Sequence, residues 1–531
     1  MGSITDIVKL DQPCAYNGSG TAADPYVVTF QYDETSNPQL WPTAKKLRVT
    51  IPISLATIVV TFDSSAYSGA LNQISAEFNI TSSLILTLGT SLWVLGFAAG
   101  ALVWAPAAEA YGRRLIFFVS YVPMVIWLAA ACVSPNITAL MWFRFLAGTF
   151  GSSLIANSGG IIGDIFTPTQ RGVPISLLIS TVFVGPSFAP AICGYVAEFA
   201  GWQWSFSVQA LFALVALVIC IPVPETYAPV LLAWKANELS KQDPHHVYRN
   251  KQQIQQANSG ESWKQRLWFS LSRPWRLLLL EPIVTLMSIW IAVVYGTLYL
   301  CFEAFPYYFE GELGWSEGTG GLSIFGVGVG MLGGMFLNII YFDKRYISVA
   351  HRYAAMKRRT PPEARLPMAC VGGVLCPVAL LALAWTAYPS IHWIVPIICA
   401  APFGTGMVLI FLAIQSYLID VYPIFAASAL AANSLMRSLF GFSFPLFANV
   451  MYQNLHMHWA TTIVAFMSLI CMPIPFAFYK YGAAIRAKSK HTDKSSRDLL
   501  AEDQAMASIA ITEPPADTDN ISTVDEHQSN P

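Results

Sequence analysis

The stretch Val49–Asp63 reads VTIPISLATIVVTFD, an apolar run that ends in an aspartate. The whole chain shares this character, because its 531 residues are 55% hydrophobic and only 11% charged, with a mean hydropathy of +0.50. Soluble globular domains carry about 25% charged residues, so the composition predicts an integral membrane protein. Asp63 then lies within a membrane-spanning segment. Placing a carboxyl group there costs free energy, and something must offset this cost.

Twelve segments of the chain are apolar enough to cross a bilayer as helices, which takes about 20 residues each. They begin near Val49, Leu84, Leu115, Leu140, Val173, Ser205, Leu277, Gly320, Pro367, Trp393, Phe425 and Ala460. The sequence therefore predicts an all-α integral membrane protein. Residues 1–48 are polar and show no cleavable signal peptide.

The distribution of the thirty Lys and Arg residues predicts the orientation. With the amino end in the cytosol, the cytosolic segments hold all of them except Arg144 and Arg437, which lie within spans. This is the positive-inside pattern, so both termini are predicted to be cytosolic. The predicted external loops, which contain neither Lys nor Arg, are 70–83, 135–139, 196–204, 301–318, 388–392 and 449–459.

A polar, basic break divides the spans into six and six. Two bundles joined by a long cytosolic link are typical of alternating-access transporters, which bind substrate between the halves near the bilayer midplane. The predicted organisation is a cytosolic segment 1–48, a first six-helix bundle 49–222, a cytosolic linker 223–276, a second bundle 277–480 and a mostly disordered cytosolic tail 481–531.

Four motifs in the first half point to a family. The second span and its loop read GALVWAPAAEAYGRRLIFF from Gly100, the fourth span opens RFLAGTFGSS from Arg144, the fifth contains GPSFAPAICG from Gly185, and PETYAPVLLAWKA follows the sixth from Pro224. Together with motifs in the second half, these resemble the fungal twelve-span drug:proton antiporter group of the major facilitator superfamily over nearly all of residues 24–486.

The resemblance assigns roles to two of these motifs. In the loop it implies a gate latch that forms when the inner side is closed, although the basic residues also serve the positive-inside rule. The residues concerned are Gly100, Glu109, Gly112, Arg113 and Arg114. In the fifth span it implies the glycine-proline motif of antiporters, with Gly185, Pro186 and Pro190. Proline also bends membrane helices for packing alone, so this assignment depends on the resemblance.

Asp63 is the first candidate for the chemistry of transport. A carboxylate at the centre of a membrane helix costs about 2.5–3.5 kcal/mol on insertion scales, and Tyr67 lies one helical turn further on. One hypothesis is a proton-coupling or cation-binding acid that faces a cavity. The alternatives are a permanent ion pair with an arginine and a position at the outer interface.

Arg144 is the second candidate. Small residues follow it at four-residue spacing (Gly148, Ser152, Ala156 and Gly160), so its helix face packs closely or borders a cavity. An arginine keeps its proton in proteins, and it can therefore stabilise a carboxylate but cannot act as an acid. The resemblance implies that Arg144 organises proton transfer; the alternative is a purely structural ion pair. In the second half, Arg437 lies on one helix face with Asn433, and both are predicted, together with Tyr67, to line the substrate cavity.

The seventh span offers a candidate substrate surface. Tyr295, Tyr299 and Glu303 are four residues apart and share one helix face. Aromatic rings with a carboxylate suit an organic cation. The alternative is that the tyrosines belong to the aromatic belt at the membrane surface.

The sequence contains no Walker motif, metal-ligand spacing or nucleophile constellation, so neither an enzyme nor a bound cofactor is predicted. The predicted function is proton-driven export of amphipathic small molecules such as drugs, fungicides, toxins or secondary metabolites, by a monomer in the plasma membrane or the vacuolar membrane. The predicted partners are the small-molecule substrate, protons and the lipid bilayer, without nucleic acid. Uptake of a nutrient or polyamine and a non-transporting membrane sensor are the alternatives. Asn79 and Asn136 begin glycosylation sequons in predicted external loops.

Overall fold

Long helices make up most of the chain. The computed structural model describes residues 16–21, 24–31, 34–167, 170–254, 263–356, 358, 360–422 and 425–488. The first six spans are α1 (Thr43–Ala66), α2 (Ser83–Tyr111), α3 (Arg113–Cys132), α4 (Ile137–Ile165), α5 (Gly172–Ala200) and α6 (Trp202–Cys220). A 3₁₀ turn at Tyr67–Ala70 and a short helix at Leu71–Glu77 prolong α1.

The second half begins with α7 (Pro282–Pro306), α8 (Phe325–Leu337), α9 (Leu366–Thr386) and α10 (Ile394–Val421). The helix Glu317–Leu322 precedes α8 and the helix Asp343–Ala355 follows it, while π-helical turns occupy Tyr307–Glu312 and Asn338–Phe342. The remaining spans lie within the helical run Ala426–Cys471 and its continuation Pro473–Lys488.

This last run contains two spans, because it breaks at His456, whose φ of 56° is not helical. The hydroxyl groups of Tyr452 and Thr461 lie 3.3 Å apart, which residues nine apart on one straight helix could not achieve at 1.5 Å per residue. Residues 426–455 therefore form α11, and α12 runs from residue 457 to the end of the described chain. The described residues thus form an all-α fold of twelve spans, as predicted, because the last of the eleven long apolar helical runs contains two of them.

Two boundaries differ from the sequence prediction. The first span begins at Thr43 instead of near Val49. The seventh begins at Pro282 instead of near Leu277, because a separate helix, Trp263–Leu280, ends just before Glu281, whose backbone is extended. Proline lacks the N–H that would continue the earlier helix and suits the first turn of a new one. The predicted tail overlaps the last helix up to Lys488, and residues 489–531 lie outside the described residues.

The amino-terminal segment and the linker fold together on the predicted cytosolic side. Strand β1 (Tyr26–Val28) pairs in parallel with β2 (Tyr248–Asn250) of the linker, beside the linker helix Ala228–Gln242. Lys235 of that helix forms a 2.8 Å ion pair with Glu34. Burial works to raise the pKa of Glu34, but hydrogen bonds from Lys235 and Ser36 outweigh it and hold the pKa below its usual value. The amino-terminal segment and the linker, for which the sequence predicts only a polar character, therefore contact each other through this strand pair and this ion pair.

The first half (α1–α6) and the second half (α7–α12) contact each other along α2 with α11 and along α5 with α8. At the predicted outer end, the backbone N–H of Asn72 donates to Glu317 Oε1 at 3.0 Å. At the cytosolic end, Asn338 Nδ2 donates to Ser176 Oγ at 2.9 Å. The halves therefore meet at both ends, and the arrangement is occluded.

Glycines allow α2 and α4 to cross closely within the first half. A Cβ on Gly96 would lie 2.6 Å from the carbonyl oxygen of Phe145, and one on Gly100 would overlap both Thr149 O and Ser152 Oγ. Small residues at such crossings bring two membrane helices into direct backbone contact. The row of small residues after Arg144 therefore packs closely instead of bordering a cavity.

Gly100→Ala is expected to lower the unfolding temperature of the full-length protein in detergent, because overpacking of a tight contact costs about 1–3 kcal/mol. Thermal unfolding followed by fluorescence-detected size-exclusion chromatography measures the change. Gly159→Ala on α4 is the matched control, since a Cβ there would meet nothing within 4 Å. Equal unfolding temperatures for the two variants would contradict the close crossing of α2 and α4.

Candidate functional site

Asp63 lies in α1 with no solvent exposure. Neither of its carboxyl oxygens accepts a hydrogen bond within the described part of the chain. A buried carboxylate without hydrogen bonds is energetically unfavourable. The aspartate that ends the first apolar run is therefore inside the protein and not at the outer interface.

Arg144 of α4 lies beside Asp63 but binds backbone and not the carboxyl group. Its Nε donates to the carbonyl of Gly89 at 2.6 Å and its Nη2 to the carbonyl of Asp63 at 3.2 Å. Its guanidinium carbon is 4.9 Å from the ring centroid of Tyr67 and 5.2 Å from that of Trp93. Arg144 thus joins α1, α2 and α4, and the permanent Asp–Arg ion pair considered from the sequence is not formed.

Tyr67 is fully buried between the first-half helices. Its ring lies against Gly89, where a Cβ would come 2.6 Å from ring atom Cε2. Among the described residues, no group forms a hydrogen bond with its hydroxyl. Because Arg144 lies over the ring, Tyr67 forms one wall around the guanidinium.

The seventh span meets the first at its tyrosines. Tyr295 OH donates to Tyr299 OH at 3.4 Å, and Tyr299 OH donates to Ser64 Oγ at 2.8 Å, next to Asp63 in the chain. Tyr295 is 4% exposed and Tyr299 1%, so they lie at the interface between the halves and not in a lipid-facing belt. Glu303 is also buried there, and its Oε1 accepts no hydrogen bond in the described ranges.

Asn433 and Arg437 of α11 are buried on the second-half side of the same interface. Asn433 Nδ2 donates weakly to Ser288 Oγ at 3.4 Å. Arg437 lies over the rings of Tyr295 and Phe411, with its guanidinium carbon 4.9 and 5.0 Å from the two centroids. The structure therefore brings together the two predicted arginines, the predicted tyrosines and both predicted acids in the centre of the protein.

The glycine-proline segment of α5 packs against α1. A Cβ on Gly185 would lie 2.5 Å from Thr61 Oγ1. Pro190 has no N–H to bond the carbonyl of Pro186, and the hydroxyl of Ser65 donates to that carbonyl instead, at 2.8 Å. The prolines therefore supply a backbone acceptor to the helix that carries Asp63.

The loop motif leads into α3, and the carboxylate of Glu225 caps the N-terminus of that helix. Gly112 has a φ of 100°, and a Cβ there would lie 2.6 Å from Glu225 Oε2. The backbone N–H groups of Arg113 and Arg114 donate to the carboxylate of Glu225 at 3.0 Å each. A carboxylate at a helix N-terminus satisfies free N–H groups and complements the helix dipole.

The side chain of Arg113 forms a 3.3 Å ion pair with Asp164 at the end of α4 and donates to Asn157 Oδ1 at 3.1 Å. Glu109, which was expected in the latch, is exposed and forms no ion pair or hydrogen bond within the described residues. Sequence reasoning did not assign Glu225 or Asp164, although Glu225 belongs to the quoted segment PETYAPV. Glu225 lies more than a hundred residues from Arg113 in the sequence. No local sequence pattern therefore predicts that its carboxylate contacts the start of α3.

Comparison with known proteins identifies the family. The model of the Major Facilitator Superfamily matches residues 53–445. The chain is 47% identical to the MFS-type efflux pump MFS2 of Trichophyton rubrum, over 90% of this chain and 79% of that one. It is 44% identical to the multidrug transporter mdrA of Aspergillus fumigatus, over 98% and 86% of the two chains.

The fold agrees with this. A solved structure of the proton:xylose symporter XylE superposes with a TM-score of 0.60 at 17% identity, covering 83% of this chain and 96% of that one. The chain belongs to the major facilitator superfamily and is a multi-pass membrane transporter, not an enzyme.

Glu225→Gln is expected to lower the unfolding temperature by several degrees, because an amide keeps only one acceptor oxygen where the carboxylate accepts N–H groups from Arg113, Arg114, Thr226 and Tyr227. Thermal unfolding in detergent is the measurement. Glu238→Gln, an exposed carboxylate in the same linker that pairs loosely with Lys241 at 3.7 Å, is the control. Unchanged stability of the Glu225 variant would show that the cap contributes little.

Proposed function

We propose that this chain is a proton-coupled antiporter that exports amphipathic small molecules, such as drugs, fungicides, toxins or secondary metabolites, across the plasma membrane. Export is supported by relatives that are named an efflux pump and a multidrug transporter. Proton coupling is supported above all by one observation: the carboxyl group of Asp63 is buried inside the first half, beside Arg144, and accepts no hydrogen bond from any described residue.

The environment of Asp63 suits reversible protonation. Closed off from water, the group is favoured in its neutral form, and hydration from either side would favour ionisation. Arg144 provides a fixed positive charge nearby, held by the carbonyls of Gly89 and Asp63. Because it does not form a direct ion pair with the carboxylate, it can stabilise the ionised acid without locking it in that state.

The proposed cycle follows from these properties. Open to the outside, where protons are more concentrated, Asp63 takes up a proton as the substrate leaves. The halves then close and reopen toward the cytosol, where Asp63 loses its proton and substrate binds again. Glu303 of α7, also buried, is a second protonatable group contributed by the other half.

Asp63→Asn is expected to abolish export, because an amide cannot carry a proton. A yeast strain that lacks its own drug pumps, expressing the full chain, would be grown on cationic, neutral and anionic toxicants at several external pH values. The wild-type chain should give resistance that is greatest at acidic external pH, where the inward proton gradient is largest. The variant should fall to the level of the empty vector at every pH.

The control for this experiment is Glu77→Gln, which removes an exposed carboxylate from the helical continuation of α1 and should retain full resistance at equal expression. Resistance that survives Asp63→Asn would exclude Asp63 as the proton carrier. Absence of resistance in the wild type, or increased sensitivity, would favour uptake or sensing over export.

A further inference from the structure

Arg437 is a buried cation without a counter-ion. Its side chain is 3% exposed, and no carboxylate pairs with it in the part of the chain that the structure describes. Its Nε and Nη1 donate no hydrogen bond to any described residue. Arg144 differs, because backbone carbonyls accept from two of its nitrogens. A guanidinium cannot be neutralised in a protein, and leaving its N–H groups unpaired inside one is costly.

The surroundings of Arg437 form a recognisable binding surface. Tyr295 and Phe411 hold the guanidinium through their ring faces. Phe183 packs edge-on against Phe411, with the centroids 4.8 Å apart. The Oδ1 of Asn433, one turn before Arg437, is also buried and accepts no hydrogen bond from the described chain. Polar groups with free hydrogen-bonding capacity thus lie among aromatic rings at the interface between the halves.

From this arrangement we infer that Arg437 binds the substrate, and that the substrates are aromatic compounds with paired acceptor oxygens, such as hydroxy acids and hydroxy ketones. The N–H groups on one edge of the guanidinium, at Nε and Nη2, form the fork with which an arginine binds two neighbouring oxygens. The rings of Tyr295, Phe183 and Phe411 contact the apolar body of the compound. This inference rests on the proposed export function and specifies its substrate class.

The same geometry disfavours the organic cations that the tyrosines and Glu303 suggest from sequence. The guanidinium of Arg437 already lies on the ring face of Tyr295, which is the surface that a substrate cation would need. A second cation beside it would also meet the repulsion of an unpaired buried charge. Arg437 therefore disfavours the binding of cations and favours the binding of compounds with acceptor oxygens.

The site also has a direct connection to Asp63. The hydroxyls of Tyr295, Tyr299 and Ser64 form a chain of hydrogen bonds from the ring beneath Arg437 to the residue next to Asp63. The link between Tyr299 and Ser64 crosses from one half to the other. A compound that binds between α1 and α7 must separate these hydroxyls, so the substrate and this closed contact exclude each other.

Binding to the purified full-length protein in nanodiscs, followed by tryptophan fluorescence in the absence of a proton gradient, tests the inference. Three probes share a naphthalene body: 1-hydroxy-2-naphthoate, 2-acetyl-1-naphthol and 2-naphthylmethylammonium. The two oxygen-bearing probes should bind about tenfold or more tightly than the ammonium. Arg437→Gln should weaken the oxygen-bearing probes by about tenfold or more and leave the ammonium unchanged or tighter.

Arg437→Lys keeps the charge and removes the fork, so it should bind the oxygen-bearing probes with intermediate affinity, and it decides the matter if the Gln variant does not fold. Arg345→Gln, an exposed arginine after α8, is the control and should bind like the wild type. Three results would overturn the inference: a wild-type protein that binds the ammonium more tightly than the oxygen-bearing probes, equal weakening of all three probes by Arg437→Gln, or a Lys variant equal to the wild type. So would the absence of binding by a protein that still confers resistance in yeast, whereas absence of both would overturn the export function as well.

Discussion

The burial of Arg144 is the constraint on which the centre of this transporter depends. A guanidinium keeps its charge wherever the fold places it, so its N–H groups need acceptors inside the protein. Here the acceptors are the backbone carbonyls of Gly89 and Asp63. Two consequences follow: α1, α2 and α4 are joined to one another, and Arg144 does not bind the carboxyl group of Asp63 directly. The proposed proton coupling needs the second, because a direct ion pair would hold the acid ionised.

Much of this architecture was predictable, because the signals for it are local. Apolar runs predict the spans, and the distribution of Lys and Arg predicts their orientation. Asp63, Arg144 and Arg437 stand out because they are isolated charges within spans. What these residues bind was not predictable. The acceptor at Gly89 is a carbonyl, which every residue has, and the carboxylate of Glu225 reaches Arg113 from 112 positions away. The start of α7 was misplaced because hydropathy alone does not separate an apolar helix from the span that follows it.

The ion pairs of the cytosolic side explain how the halves can move as units. Arg113 at the start of α3 pairs with Asp164 at the end of α4, and Arg365 at the start of α9 pairs with Asp420 at the end of α10, both at 3.3 Å. Each pair lies within one half. Between the halves at this end, Asn338 donates a neutral hydrogen bond to Ser176, and the carboxylate of Asp343 lies against Gly172 at the start of α5. Opening at this end therefore separates these inter-half contacts and keeps both ion pairs, which fits rocking of two rigid bundles.

The two central arginines have different partners, and that difference bears on exchange. Arg144 donates to the backbone carbonyls of Gly89 and Asp63, whereas Nε and Nη1 of Arg437 bond no described residue. Between them, Tyr299 of one half bonds Ser64 of the other, next to Asp63. With this bond formed, α1 and α7 are in contact, and Asp63 has no solvent exposure. In the proposed exchange, a compound on Arg437 would break this bond and open Asp63 to water, which favours ionisation of a carboxyl group. Proton and substrate would then exclude each other through one inter-half hydrogen bond, without competing for the same group.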